Sequence, residues 1–364
     1  SNSAFYSDIY TPSQSISFDG TYNVSSDGYI TTAETGTNEI IEGRILDINK
    51  MATLVDLDSA KQDFVLLMKR GSTPYSNASL TGIYHVVALH LGYTWGASSH
   101  IGAMIFSGTG GYSWSGTYSK TGVGANLTGS FSGTYNVNEY GLFVFTKPDS
   151  KMYNGAISET SDMFIYGNVS ELGEHGIGIG IKAGTGNYTN ASLTGTYYGA
   201  GFGINAGGTE CALYRIDFNG AGQWTCVVNY NSSQDGPNKS RTINGTYAVN
   251  SDGIFTLTCE GEVSHGAISA NSDRFILTRI NDQDVHDISF FAKPSAYDLS
   301  YSLVRRFQFE DSSNYNKLGF QVRDTTNAPV QSDVVTSVVL KDGNGVIVST
   351  TPHQIDTTKT LDGA

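Results

Sequence analysis

A strand-forming pattern that occurs three times constrains the fold of this 364-residue chain more than any other feature. Each copy places a large apolar residue, a glycine, a tyrosine and a valine at alternate positions, with a second glycine 8 residues after the first. The first glycines are Gly20, Gly133 and Gly245, so the copies stand 112 or 113 residues apart. Alternation of apolar with small or polar residues indicates strands with one buried face, and a fixed long period indicates an array of similar domains.

Turn signals and further repeats extend this β pattern. Asp-Gly pairs at 27–28 and 252–253 close hairpins, because both residue types tolerate turn conformations. A second repeated block, Asn-Ala-Ser-Leu-Thr-Gly-x-Tyr, occupies 77–84 and 190–197. Glycines alternate at 176–180 and 199–203. No helix is predicted after either run, so we expect them to admit a neighbouring aromatic ring or strand and not to bind phosphate.

The sequence therefore predicts an all-β fold of tandem repeats of about 112 residues. Each repeat is expected to be a small eight-stranded antiparallel up-and-down barrel, and a β-sandwich-like segment follows at the C-terminus. The expected domains are a leader at 1–12, barrels at 13–125 and 126–240, a diverged or partial barrel at 241–310, and the C-terminal segment at 311–364.

Two other framings of the repeats remain open. Units starting at 71 and 184 would leave residues 1–70 as half a barrel with two open edges, which is unfavourable. Alternatively, residues 13–70 close against residues from 296 onward.

Composition narrows the class of protein. Hydrophobic residues make up 39% of the chain, enough to form cores and too many for a disordered chain. The net charge of −13 argues against nucleic-acid binding, which needs clustered Lys and Arg. The sequence contains no apolar run long enough for a transmembrane helix, so no transmembrane segment is expected.

Motifs for metal or covalent chemistry are absent from the sequence. It contains no Cys-x-x-Cys, no His-Glu-x-x-His and no Gly-x-Ser-x-Gly. We therefore expect no catalytic residues and no cofactor, with one exception. Asp282, Asp284 and Asp287 lie in one short turn, and carboxylates at that density could hold Ca²⁺; an ordinary solvated turn is the alternative.

Cysteines and tryptophans supply the other candidate sites. Cys226 and Cys259 both fall on the core-facing parity of their strands, so either they form a disulfide or they are buried free thiols. Trp95, Trp114 and Trp224 lie in the first halves of their repeats. They could stack on a sugar or a flat ligand at a barrel mouth, or they could pack in the core.

The Leu-Thr-Gly-Thr-Tyr opening and the strand count resemble the β-barrels of the avidin and lipocalin families. The array resembles secreted or lipid-anchored bacterial surface proteins built from such modules, and residues 311–364 resemble the start of an immunoglobulin-like domain. The barrel resemblance implies ligand binding inside a barrel or at its mouth. It supplies no individual binding residue.

These observations predict a non-enzymatic extracellular or cell-surface repeat protein with a structural or adhesive role. The expected partner is a surface, a protein or a glycan, and a lipid anchor outside this chain, in an outer membrane, would fit. A small-molecule or glycan-binding protein that uses a barrel interior is the first alternative. A secreted hydrolase with a site between domains is the second.

Overall fold

The computed structural model is almost entirely β-structure. It describes residues 2–6, 14–18, 20–25, 28–34, 40–46, 51–57, 64–69, 71, 74–92, 96–168, 174–205, 207–294, 340–341 and 347–349. In this part of the chain, no helix has the length and apolarity that a membrane crossing requires.

The first seven strands precede the closed barrels. They are β1 Asn2–Tyr6, β2 Gln14–Phe18, β3 Gly20–Val24, β4 Tyr29–Glu34, β5 Ile40–Leu46, β6 Met51–Val55 and β7 Phe64–Met68. Strands β1 and β2 pair with each other, and β3 to β7 form a five-stranded antiparallel sheet in chain order.

Barrel one follows a 3₁₀ turn at Asn77–Ser79. Its eight strands are β8 Thr81–Gly92, β9 Gly96–Ser107, β10 Gly111–Lys120, β11 Gly124–Val137, β12 Leu142–Thr146, β13 Met152–Ile157, β14 Met163–Asn168 and β15 Glu174–Lys182. Each strand pairs with the next, and β15 pairs with β8 to close the barrel.

Barrel two follows the equivalent 3₁₀ turn at Asn190–Ser192. Its strands are β16 Thr194–Asn205, β17 Gly208–Asn219, β18 Gln223–Ser232, β19 Gly236–Val249, β20 Ile254–Cys259, β21 Glu262–Ile268, β22 Arg274–Thr278 and β23 Val285–Ala292. It closes by pairing β16 with β23. The predicted all-β fold with tandem eight-stranded up-and-down barrels is confirmed. Two short strands, β24 Leu340–Lys341 and β25 Ile347–Ser349, pair near the C-terminus.

The barrel limits differ from the expected domain boundaries. The barrels span 81–182 and 194–292, so the predicted boundaries at 126 and 241 fall inside β11 and β19. The repeated Gly-Thr-Tyr pattern does not open a barrel. It marks the second half of a long strand, which pairs with the preceding strand along its first part and with the following strand only at its end. Residues 241–292 therefore belong to barrel two and not to a third barrel.

The N-terminal repeat forms the five-stranded sheet and not the first part of a closed barrel. Its strands match the last five strands of each barrel in sequence. This arrangement is the half-barrel at residues 1–70, which was judged unfavourable because of its two open edges. Its outer face packs on barrel two, and this burial offsets the cost of the open edges. Val55 and Leu57 join Ala200 and Leu213 in one apolar cluster, and the Arg44 guanidinium lies 4.1 Å from the centroid of the Tyr198 ring.

Most of the expected terminal segments lie outside the described residues. Within the expected leader, Asn2–Tyr6 is a strand. Within the immunoglobulin-like segment at 311–364, the structure describes only β24 and β25.

The barrel outer faces build a core common to the barrels and the sheet, which we call the shared core. Its buried members are Leu46, Met51, Val87, Leu89, Ile101, Met163, Ile179, Ile181, Ala267, Ile276, Ile280, Ile288, Phe290 and Ala292. Strand β8, which contributes to it, is buried on both faces, whereas β11 and β19 carry a polar outer face. The modules are thus joined by packing and not only by the chain.

Alternating glycines on β15 leave space for aromatic rings inside barrel one. On β15, Ile177, Ile179 and Ile181 point into the shared core, and the glycines between them point into barrel one. A Cβ atom at Gly178 would lie 2.1 Å from the Tyr166 ring, and one at Gly180 would lie 2.3 Å from the Phe164 ring. The packing role predicted for these glycines is confirmed.

The repeated Asn-Ala-Ser-Leu-Thr-Gly-x-Tyr block closes one end of each barrel. The Tyr135 hydroxyl lies 2.9 and 2.8 Å from the carbonyl oxygens of Asn77 and Leu80, and Asn77 Oδ1 accepts a hydrogen bond from the Val137 amide at 2.7 Å. In barrel two, Tyr247 and Asn190 make the same contacts. We call this end of each barrel the plug end.

A backbone contact between neighbouring modules also occurs twice. The Asn126 amide on β11 donates to the carbonyl of Ile280 in barrel two at 2.9 Å. The equivalent Asn238 amide on β19 donates to the carbonyl of Leu57, beside the five-stranded sheet, also at 2.9 Å. Both asparagines have φ near +54°, a conformation that Asn tolerates better than most residues.

Candidate functional site

Barrel one contains a cavity of about 230 Å³ at the end opposite its plug. Aromatic and apolar side chains form most of its wall. The lining residues are Val86, Ala88, His90, His100, Met104, Trp114, Tyr118, Gly129, Ser130, Phe131, Phe145, Lys147, Tyr153 and Tyr166. The lining residues other than Ser130 lie on the inward-facing parity of their strands. Lys147 continues this parity just beyond the end of β12.

Strand β11 borders the cavity along a stretch that is not paired with β12. Strand β11 pairs with β10 from Leu127 onward, but it meets β12 only at Thr134–Val137. Along Gly129–Phe131 it therefore diverges from β12 and from Lys147, which follows β12. Ser130 is an exposed residue of this stretch and yet lines the cavity. The first half of β11 and Lys147 therefore both border the cavity.

Two stacked ring pairs form flat walls inside the cavity. The Trp114 and Phe131 rings stack with centroids 5.3 Å apart and an interplanar angle of 26°. The His100 and Tyr118 rings stack at 5.3 Å and 15°. The His90 ring meets His100 edge-on at 5.0 Å.

Among the described side chains that line the cavity, Lys147 carries a charge. Its ammonium group lies against two aromatic rings. Its Nζ is 5.1 Å from the Phe131 centroid and 4.7 Å from the Tyr153 centroid, and it donates a hydrogen bond to the Tyr153 hydroxyl at 3.0 Å. Cation–π contacts of this kind are stronger where water is excluded. The ammonium group is thus held beside the Trp114–Phe131 stack.

The two histidines are neutral at physiological pH. Burial lowers the pKa of His100 to about 3, and the positive charge of Lys147 adds to this effect. Burial also places the pKa of His90 well below its usual value, with His100, Lys147 and Lys151 contributing in the same direction. The Ser98 hydroxyl lies 3.0 Å from His100 Nε2. The imidazoles therefore offer hydrogen-bonding atoms without charge.

At the same end of barrel two, paired charges and small side chains replace these groups. Gly203 and Ala212 occupy the positions of His90 and His100, and Cys259 that of Lys147. Arg241 pairs with Glu210 at 3.2 Å. Arg279 lies 3.4 Å from Glu262 and 3.8 Å from Asp287. The charged side chains at this end of barrel two therefore mainly form ion pairs with one another.

The two described tryptophans, Trp114 and Trp224, do not occupy equivalent positions. Trp114 lines the cavity of barrel one. Trp224 takes the position of Tyr112, nearer the plug end, where its indole Nε1 donates to the Thr246 carbonyl at 3.0 Å. Trp95 lies outside the described residues.

The predicted calcium ligands point to different partners. Asp282 Oδ1 accepts a hydrogen bond from the Asp284 amide at 2.8 Å, whereas Asp287 Oδ1 accepts one from the Arg279 amide at 2.7 Å. Burial raises the pKa of Asp287, and Arg279 opposes that shift. In the described part of the chain, no group of three or more His, Cys, Asp or Glu side chains is arranged to hold a metal ion.

Cys226 and Cys259 both face the interior of barrel two as predicted, but they are free thiols. They lie on β18 and β20, with β19 between them. Two inter-strand spacings amount to roughly 9.6 Å, and a disulfide needs Cα atoms closer than about 7 Å. The possible disulfide is therefore not formed, and the alternative of free thiols is confirmed. Burial raises the pKa of Cys226 to about 12, which makes its thiol unreactive.

Sequence analysis missed most of the cavity residues. His90 and His100 lie on neighbouring strands, and this proximity was the available signal, because the apolar pattern of β8 does not show which way His90 points. Lys147 begins a Lys-Pro-Asp-Ser turn and looks like an ordinary surface lysine. Tyr118 and Tyr153 are two of 22 tyrosines, and nothing local distinguishes them.

Comparison with known proteins gives little further information. No family model matches the chain, and no curated protein matches it. A crystal structure of a protein of unknown function from the DUF3598 family of Nostoc punctiforme is 11% identical, covers 58% of this chain and 95% of its own, and has a TM-score of 0.22. The Helicobacter pylori β clamp in complex with diflunisal is 7% identical, covers 72% and 81%, and has a TM-score of 0.10. Neither similarity supports an argument about function.

Proposed function

We propose that this protein binds a small, mainly apolar molecule inside barrel one. The observation that carries the proposal is the cavity of about 230 Å³, with its apolar wall and a few convergent polar groups. Ligand sites have this character, although most are larger, at roughly 300–1,000 Å³. A dry cavity of about 150 Å³ already accommodates benzene in another protein. The cavity of barrel one therefore suits a ligand of one or two rings.

Barrel two plays a supporting role in this proposal. Its corresponding end is occupied by the Arg241–Glu210 pair and by Arg279 with its carboxylates. Its outer face contributes to the shared core that holds barrel one in place. The cell-surface structural or adhesive role stays a prediction from the repeat pattern, as do the secreted location and the lipid anchor.

Blocking the cavity tests the proposal. Ala88 is a buried lining residue opposite His100 on the neighbouring strand, so Ala88→Phe would fill the space with a ring. Indole, indole-3-carboxylate and cyclohexanecarboxylate serve as probes, measured by ligand-observed NMR and calorimetry. We expect the wild type to bind at least one probe at a single site and Ala88→Phe to abolish that binding.

A matched control places the same ring on the outside of the wall. Ile105 is 46% exposed on β9 of the same barrel, and Ile105→Phe should leave binding within twofold of the wild type. Ala88→Leu repeats the test with less added volume if the Phe variant does not fold. Unchanged binding in a folded Ala88 variant, or no binding of any probe to the wild type, would overturn the proposal.

A further inference from the structure

We infer that the ligand of barrel one is an uncharged planar aromatic molecule that donates one hydrogen bond to His100. This inference rests on the proposed function and names the class of ligand. The alternatives within the same cavity are an aromatic acid, a flat molecule without a hydrogen-bond donor and a puckered aliphatic alcohol.

The shape of the wall favours a flat ligand. The Trp114 and Phe131 rings stack at an interplanar angle of 26°, and the His100 and Tyr118 rings stack at 15°. Tyr166 adds further ring surface. Aromatic rings gain from offset stacking and edge contacts beyond the area that they bury. A planar ligand therefore uses these surfaces more fully than a puckered ring of the same volume.

The charge of Lys147 is already engaged within the protein. Its ammonium group donates to the Tyr153 hydroxyl at 3.0 Å and lies over the Phe131 and Tyr153 rings. An anionic ligand would have to draw the ammonium group away from these contacts, and it would lose its own hydration on entering an apolar cavity. An uncharged ligand leaves the contacts of Lys147 intact. We therefore expect the cavity to prefer an uncharged molecule to the corresponding carboxylate.

His100 offers a hydrogen-bonding atom to such a ligand. Its Nε2 lies 3.0 Å from the Ser98 hydroxyl, and no hydrogen bond from the described part of the chain reaches its Nδ1. The side chain lines the cavity and keeps some accessible surface, so this surface faces the cavity. Burial and the charge of Lys147 lower the pKa of His100 to about 3, and the ring is therefore neutral. When Nε2 donates its proton to Ser98, Nδ1 is an acceptor.

This acceptor selects ligands by what they can donate. A buried site built to accept a hydrogen bond discriminates against an analogue without the donor, because the acceptor is then left unpaired. An N–H or O–H group on the edge of a flat ring would meet Nδ1 while the ring faces stack on the aromatic walls. Barrel two cannot make this contact, because Ala212 takes the position of His100.

Four probes separate charge, donor and shape. Indole is planar and uncharged and carries an N–H group. Indole-3-carboxylate adds a charge, benzothiophene lacks the donor, and cyclooctanol carries its donor on a puckered ring. Calorimetry on the whole chain should show that the wild type binds indole at least 10-fold more tightly than indole-3-carboxylate or cyclooctanol.

Substitution of His100 then tests the hydrogen bond itself. His100→Phe keeps a ring at this position and removes the acceptor, so it should weaken indole at least fivefold and leave benzothiophene within twofold. If the Phe variant does not fold, the ratio of the two affinities in His100→Ala gives the same comparison. The control is His265→Phe on β21 of barrel two, which should change neither affinity.

Each part of this inference can fail while the proposed function stands. Equal losses of indole and benzothiophene in His100→Phe would overturn the hydrogen bond to His100. Binding of indole-3-carboxylate as tight as that of indole would overturn the uncharged class, and equally tight binding of cyclooctanol would overturn the planar class. In all three cases Ala88→Phe would still abolish binding. If no probe binds to the wild type, both statements fail.

Discussion

Barrel one and barrel two have the same strand order and the same plug end, but they differ at the other end. At the plug end, Tyr135 and Tyr247 each contact two carbonyl oxygens of a 3₁₀ segment, with distances that agree within 0.1 Å. At the opposite end, one barrel holds a cavity with Lys147, whereas the other holds ion pairs around Arg241 and Arg279.

This difference separates residues that maintain the fold from residues that are available for function. The plug contacts satisfy buried polar groups, and a lost partner there would leave an amide or hydroxyl unpaired. At the other end, strand pairing depends on the backbone, so inward side chains can change while the ladder remains. The repeated plug is a structural device, and the divergent end is where a ligand site could develop in one copy.

The largest expected effect concerns a position at which the two barrels carry different residues. Arg274 of barrel two is buried and its Nη2 lies 2.6 Å from Asp162 of barrel one and 3.4 Å from Asp273; its counterpart in barrel one is Met163. We expect Arg274→Met to lower the free energy of unfolding by about 2–4 kcal/mol, because it leaves two partly buried carboxylates without this cation. Chemical denaturation measures the loss.

Arg215→Met is the control for Arg274→Met. Arg215 pairs with Asp217 at 3.3 Å, but the two side chains are 53% and 43% exposed. Exposed pairs of this kind contribute little, so the control should cost less than about 0.5 kcal/mol. If the two arginine variants are equally stable, the contact between the barrels does not depend on Arg274.

The second prediction concerns the contribution of His100 in barrel one to acid sensitivity. The pKa of His100 is about 3 in the folded protein and about 6.5 when unfolded. Below pH 6.5 the unfolded chain therefore takes up a proton that the folded protein does not, and stability falls as the pH falls toward 3. We expect His100→Ala, which installs the residue of barrel two, to reduce the loss between pH 7 and 5 by roughly 1–2 kcal/mol.

Met104→Ala separates this titration from the effect of a cavity. Met104 also lines the cavity and is buried, so its truncation should lower stability at every pH without changing the slope. Denaturation curves collected from pH 7 to pH 5 give both quantities. An unchanged slope in His100→Ala would show that this histidine does not set the acid sensitivity.

The smallest expected effects test whether the plug ends are equivalent. Asn77→Ala and Asn190→Ala each remove the side-chain acceptor of one backbone amide, at 2.7 and 2.9 Å. Each should cost about 1–2 kcal/mol, and the two costs should agree within about 0.5 kcal/mol. Asn136→Ala, on the exposed face of β11, should cost almost nothing. A harmless change in one barrel and a costly one in the other would contradict the equivalence.

Period-two alternation and turn residues were sufficient to predict strands, hairpins and the barrel class. They did not show where a barrel begins, because Gly133 and Gly245 lie within strands that serve two pairings in turn. Closure between β8 and β15 joins residues about 90 positions apart, such as Gly92 with Glu174 and Tyr84 with Lys182. No local pattern records such a pairing.

The candidate site was only partly predictable for a related reason. Trp114 was identified, but the direction of His90 was ambiguous. On β8 both parities are apolar, since Val86 and Ala88 line barrel one while Val87 and Leu89 enter the shared core. A strand buried on both faces loses the contrast that identifies an inward residue. Lys147 follows β12 and contacts the Phe131 and Tyr153 rings, and these contacts depend on tertiary structure.

The duplicated contact of Asn126 with Ile280 and of Asn238 with Leu57 has a consequence for how the protein tolerates change. The same amide-to-carbonyl hydrogen bond links barrel one to barrel two and barrel two to the five-stranded sheet. The two barrels and the five-stranded sheet also meet in the shared core. A substitution in the shared core, for example at Ile101, therefore changes the packing where modules meet. A substitution inside one barrel is confined to that barrel. Each barrel can therefore acquire its own interior while the shared core is maintained.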